Sequence, residues 1–127
     1  MSNAITNGVR VTVSTVYVPS QSAPTSHRYV FAYTIRIANA GSVAARLISR
    51  HWIITDANGR VEEVKGEGVV GKQPNLSPGE RFQYQSWAML RTPFGSMRGS
   101  YFMRRPDGTQ FEARIGEFAL TQPHALH

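Results

Sequence analysis

The chain has 127 residues, 41% of them hydrophobic, and carries 14 Lys and Arg against 8 Asp and Glu for a net charge of +6. That length suits one domain with one core, and that apolar share excludes a disordered chain. With no cysteine, disulfides, thiolate metal sites and cysteine nucleophiles are excluded; with no apolar run of bilayer-spanning length and no signal-like start, the expectation is a cytoplasmic protein.

Period-two alternation dominates the chain. Val9, Val11 and Val13 alternate with Arg10, Thr12 and Ser14, and Tyr29, Phe31, Tyr33, Ile35 and Ile37 alternate with Ala32, Thr34, Arg36 and Ala38. A strand with one buried face requires this spacing. Asn39, Gly41 and Ser42 mark a turn. The next segment, ending in Trp52, Ile53, Ile54 and Asp56, is more apolar; its β-branched run predicts a strand, and a short helix over Val43 to His51 also fits the pattern. Asn58 and Gly59 suit a hairpin turn into a short strand at Val61 to Val64. After Pro78 and Gly79, one side of a strand carries Phe82, Tyr84, Ser86, Ala88 and Leu90, and the other carries Gln83, Gln85, Trp87 and Met89. Met97, Gly99, Tyr101 and Met103 then oppose Arg98, Ser100, Phe102 and Arg104; a turn at Pro106 to Gly108 leads to a last strand within Gln110 to Leu120. Seven or eight strands, closely spaced turns and no amphipathic helix predict an all-β fold, an antiparallel β-sandwich. One domain over 1–127 is expected, ordered from about residue 8 to 120, with tails at 1–7 and 121–127.

Lys65 to Pro74 contains a G-x-G-x-x-G at Gly66, Gly68 and Gly71. In a dinucleotide site such glycines are followed by a helix whose N-terminus faces the pyrophosphate. Here Lys-Gln-Pro-Asn-Leu-Ser-Pro-Gly follows Gly71, and its prolines forbid that helix. A nest of backbone amides flanked by Lys65 and Lys72 is the form of anion binding the motif could still support, against a purely structural bend.

Elsewhere the chemistry is sparse. His27, His51, His124 and His127 do not share metal-ligand spacing, and no serine has the flanks of a nucleophile elbow. Glu62 and Glu63 are adjacent and so point oppositely in a strand. Catalytic residues, cofactors and a metal site are therefore not expected. The positive charge favours anionic partners. No RNA-binding signature is present, which disfavours nucleic acid. On the alternation, Arg98, Phe102 and Arg104 share one face and form a candidate surface for a protein partner.

The blocks Arg50 to Asp56 (RHWIITD), Val64 to Pro74 (VKGEGVVGKQP), Leu76 to Glu80 (LSPGE), Tyr84 to Trp87 (YQSW) and Gly95 to Met103 (GSMRGSYFM) occur in one order. In these the chain resembles the ApaG family, also called CorD, over about Val9 to Leu120. The resemblance implies a fibronectin-type-III or immunoglobulin-like sandwich and an association with cobalt resistance and magnesium efflux. It also implies protein binding, since similar domains sit in F-box proteins and in a DNA-polymerase-delta-interacting protein. The family's glycine motif has been suspected of binding pyrophosphate, and it offers no catalytic residues to carry over. The expectation is a non-enzymatic module for protein–protein interaction, without membrane association. The alternative is binding of a nucleotide polyphosphate at Lys65, Gly66, Gly68, Gly71 and Lys72; direct binding of cobalt or magnesium is the weakest reading.

Overall fold

In the computed structural model, which describes residues 1–123, the alternating segments become nine strands: β1 (Ser2–Thr6), β2 (Val9–Tyr17), β3 (Tyr29–Asn39), β4 (Ala45–Asp56), β5 (Val61–Glu67), β6 (Asn75–Leu76), β7 (Arg81–Leu90), β8 (Phe94–Arg104) and β9 (Gln110–Thr121). Every pairing is antiparallel. One sheet runs β1-β2-β3-β7; the other runs β5-β4-β8-β9, with β6 also on β4. Among the described residues there is no α-helix.

The expected inward residues meet between the two sheets. Val11, Ile35 and Ile37 from the first and Leu47, Tyr101, Met103 and Leu120 from the second are completely buried. Each such side chain contributes about 1.5–3 kcal/mol when removed from water. The outward residues Arg36, Gln83, Gln85, Arg98 and Arg104 are exposed. Asn39, 2% exposed, ties the corner after β3. Its Nδ2 donates to the carbonyls of Val43 and Leu76, and its Oδ1 accepts from the Gly41 N–H.

Three details depart from the sequence reading. Residues 1–7 are not a tail: Ser2–Thr6 pairs with Thr6↔Val9 through Ser2↔Val13. The turn is Asn7-Gly8, both at positive φ, a two-residue hairpin whose geometry matches strand twist. The strand predicted by the β-branched run is β4, as expected, and the alternative helix over Val43 to His51 does not form; a bulge between Leu47 and Ser49 leaves Ile48 as the extra residue. The long connection before Glu80 contains β6, and the last strand extends to Thr121. His124 and His127 lie outside the described residues.

The two sides of the sandwich differ. On one, β1 lies against β9 and the Arg114 N–H donates to Thr6 Oγ1 at 3.1 Å. On the other, β5 and β7 are edge strands, each paired on one side only.

Candidate functional site

The glycine motif begins in a strand and ends in a tight turn. Gly66 pairs with Arg50 on β4. Arg50 runs across it, and a methyl at Gly66 would lie 2.8 Å from three guanidinium atoms. The Arg50 Nη1 donates to the carbonyls of Glu67 and Gly68 at 3.0 and 2.9 Å. Gly68 has φ +62, and a methyl there would lie 2.3 Å from the Lys72 carbonyl oxygen. Val69, completely buried, and Lys72 exchange two backbone hydrogen bonds around Val70 and Gly71. With φ of 44 at Val70 and 78 at Gly71, this is a two-residue type I′ turn.

That geometry limits anion binding. The amides of Gly68, Val69 and Lys72 already donate to Ile48, Lys72 and Val69. Among the described residues, only the Val70 and Gly71 amides of the turn make no hydrogen bond. Lys72 is exposed beside them, whereas Lys65 faces the outer side of its sheet, opposite His51. Val70 is 57% exposed and β-branched in the left-handed region, a strained combination. Val70→Asn is expected to raise the unfolding free energy by about 1 kcal/mol, read as a higher urea midpoint.

The β8 residues do share a face, but they line separate hollows. Phe102, with Ser49, His51, Lys65, Glu67 and Glu112, borders a shallow depression of about 420 Å³. Two glutamates offset its cations, and His51 Nε2 lies 3.1 Å from Glu63 Oε1. Arg98 borders another with Arg114 and Glu117. Arg104 borders a third with Arg46 and Arg105. No three metal-ligating side chains converge among the described residues.

A family model described as the ApaG domain matches residues 19–105, which spans β3 to β8 and includes both candidate regions. The chain belongs to the ApaG family. It is 58% identical over 117 residues to the protein ApaG of Methylobacillus flagellatus, covering 92% of each chain. It is 52% identical to the protein ApaG of Anaeromyxobacter dehalogenans over the whole of both chains. A crystal structure of a Bordetella pertussis protein described as ApaA superposes with a TM-score of 0.89 at 54% identity, covering 91% of this chain and 94% of that one.

Two features of this ApaG chain were not singled out from sequence. The first is interior. On the inward face beside Arg50, the Tyr84 and Tyr101 hydroxyls lie 2.5 Å apart. Burial raises both phenols and, less far, Tyr33; the neighbouring Tyr84 raises Tyr101 further. The second is on the outer face of the first sheet. Val16, Ala32 and Trp87 form one cross-strand row, and Val30 and Met89 form the next. Val16, Trp87 and Met89 are 58%, 54% and 49% exposed. Alternation placed Trp87 and Met89 on the side with Gln83 and Gln85; only the register of β2, β3 and β7 joins them to Val16.

Proposed function

We propose that this ApaG chain is a non-enzymatic, cytoplasmic binding module that engages a protein partner along β7. The observation that carries this reading is the exposed Trp87, set in an apolar row on an edge strand with unpaired backbone groups. An exposed apolar patch of this kind marks an interaction surface, and tryptophan is a frequent anchor of such contacts. Exposed Arg81 and Arg91 stand at the two ends of β7, so the partner segment best matched is extended, acidic and apolar at one position. Arg98, Phe102 and Arg104 lie on the opposite outer face and serve a separate contact. In this reading, any effect on cobalt resistance or magnesium efflux is exerted through the partner.

A photo-crosslinking side chain at Met89 is expected to capture a partner that the same group at Arg10, on the same outer face, does not. Trp87→Glu abolishes the adduct while shifting stability by less than about 0.5 kcal/mol. Equal capture at both positions, or capture unaffected by Trp87→Glu, would overturn the proposal.

A second reading keeps the glycine loop. The strained, exposed Val70 favours it, because strain tends to persist where function requires it. A nucleotide polyphosphate would meet the Val70 and Gly71 amides and Lys72, with Lys65 further along β5. Adenosine triphosphate should then shift the amide resonances of Val70, Gly71 and Lys72; flat resonances at millimolar ligand would end the idea.

A further inference from the structure

The structure assigns a site for a phosphate-class oxyanion to Arg46 and Arg104, on the outer face of the second sheet and separate from the glycine loop's turn. Arg46 and Arg104 are direct cross-strand partners. Leu47 and Met103, the next pair along, are both completely buried, so the two arginines occupy the solvent face. Like charges placed opposite each other weaken a sheet. The two border a depression of about 400 Å³ with Ile48, Asn75, Arg105 and Pro106.

Among the described residues no carboxylate lies within 4.0 Å of the Arg46 or Arg104 guanidinium. The only contact within 4.0 Å between a basic and an acidic side chain among them is His51–Glu63. Asp107, in the adjoining hairpin, accepts the Thr109 N–H at 2.9 Å. Glu112 accepts from the Ser100 hydroxyl at 3.3 Å.

The Arg46 guanidinium is also held in place. Arg46 Nη1 donates to the Gln73 carbonyl at 3.1 Å. Arg105 turns to the inner side instead: its Nη2 donates to the Asn7 carbonyl at 3.2 Å, and its guanidinium carbon lies 4.9 Å from the centre of the ring of Phe111, the cross-strand partner of buried Met103. Each guanidinium has five N–H groups in a planar fork, so most donors remain uncommitted. Forked donors match the oxygens of a phosphate group. Ile48 and Pro106 offer no aromatic ring on which a base could stack, so recognition is confined to the phosphate itself.

The test compares the whole chain with Arg104→Met, Arg46→Met and Arg98→Met at low ionic strength, using inorganic phosphate, tripolyphosphate, adenosine triphosphate and glutarate. Both phosphate salts are expected to shift the amides of Arg46, Asn75, Arg104 and Arg105 and to raise the thermal midpoint. Arg104→Met raises the ligand-free midpoint, because the like-charge pair is gone, and weakens phosphate binding at least about tenfold. Arg46→Met does the same, and Arg98→Met on the same strand face changes neither. Shifts confined to Val70–Lys72 would overturn this site and leave the loop reading standing. A phosphate effect undiminished in both Arg104→Met and Arg46→Met, or no binding at all, would also overturn it. Glutarate binding as well as phosphate, or binding of adenosine triphosphate without tripolyphosphate, would overturn the ligand class.

Discussion

Trp52→Ala is expected to lower the unfolding free energy by about 3–5 kcal/mol, a large share of what a domain of this size possesses. Trp52 is 3% exposed at the middle of β4. Its ring centre lies 5.4 Å from that of Tyr33 on β3, 6.4 Å from Tyr101 on β8 and 5.9 Å from Phe118 on β9, all edge-on. One side chain thus touches both sheets, and edge-to-face pairs add to the effect of burial. Truncation leaves a cavity whose walls belong to different strands of two hydrogen-bonded sheets, which limits collapse into it. Trp52→Phe keeps a ring in the same place and should lose roughly half as much. Urea unfolding followed by circular dichroism gives the comparison directly. A loss below about 1 kcal/mol for Trp52→Ala would mean the two sheets do not depend on this contact.

The two layers were legible because each face declares itself within one strand. Val9, Val11 and Val13, or Tyr29 through Ile37, need no knowledge of partners to be assigned an inner side. β1 was not legible: Ser2-Asn3-Ala4-Ile5-Thr6 has only Ala4 and Ile5 as apolar residues, and its order comes from pairing with β2 and leaning on β9. β6 is two residues long and exists only because Ala45 and Arg46 lie beside it. For the glycine motif, the absent helix could be read from Pro74 and Pro78. The reason for Gly66 could not, since Arg50 is sixteen positions away in sequence and adjacent only through β4–β5 register. The same limit hid the Arg46–Arg104 pair and the Val16–Ala32–Trp87 row. Alternation fixes the face of a residue, while a site requires the register between strands, which depends on turns and bulges such as the one at Ile48.

Above pH 10 the fold is expected to lose stability steeply, with the three buried phenols as the cause. Tyr33, Tyr84 and Tyr101 are all raised from the ordinary value of 10.0, first by burial, and in Tyr101 next by the neighbouring Tyr84. Arg50 acts in the opposite sense on each and is the smallest influence. A raised value means that the native state keeps its proton where the unfolded chain has released it. The contribution is therefore complete below pH 10 and is lost as pH rises toward the folded values, by about 1.4 kcal/mol per pH unit for each phenol. Tyrosinate absorbance and circular dichroism recorded together should show these three of the five tyrosines ionising only as the sheet signal disappears. Tyr101→Phe separates the two roles of its hydroxyl. At neutral pH it should destabilise by about 1–2 kcal/mol, because the buried Tyr84 hydroxyl loses its partner. Above pH 10 it should flatten the slope by about one phenol's share. Complete tyrosinate formation with a native spectrum would show that these hydroxyls reach water in the folded protein, and would overturn the prediction.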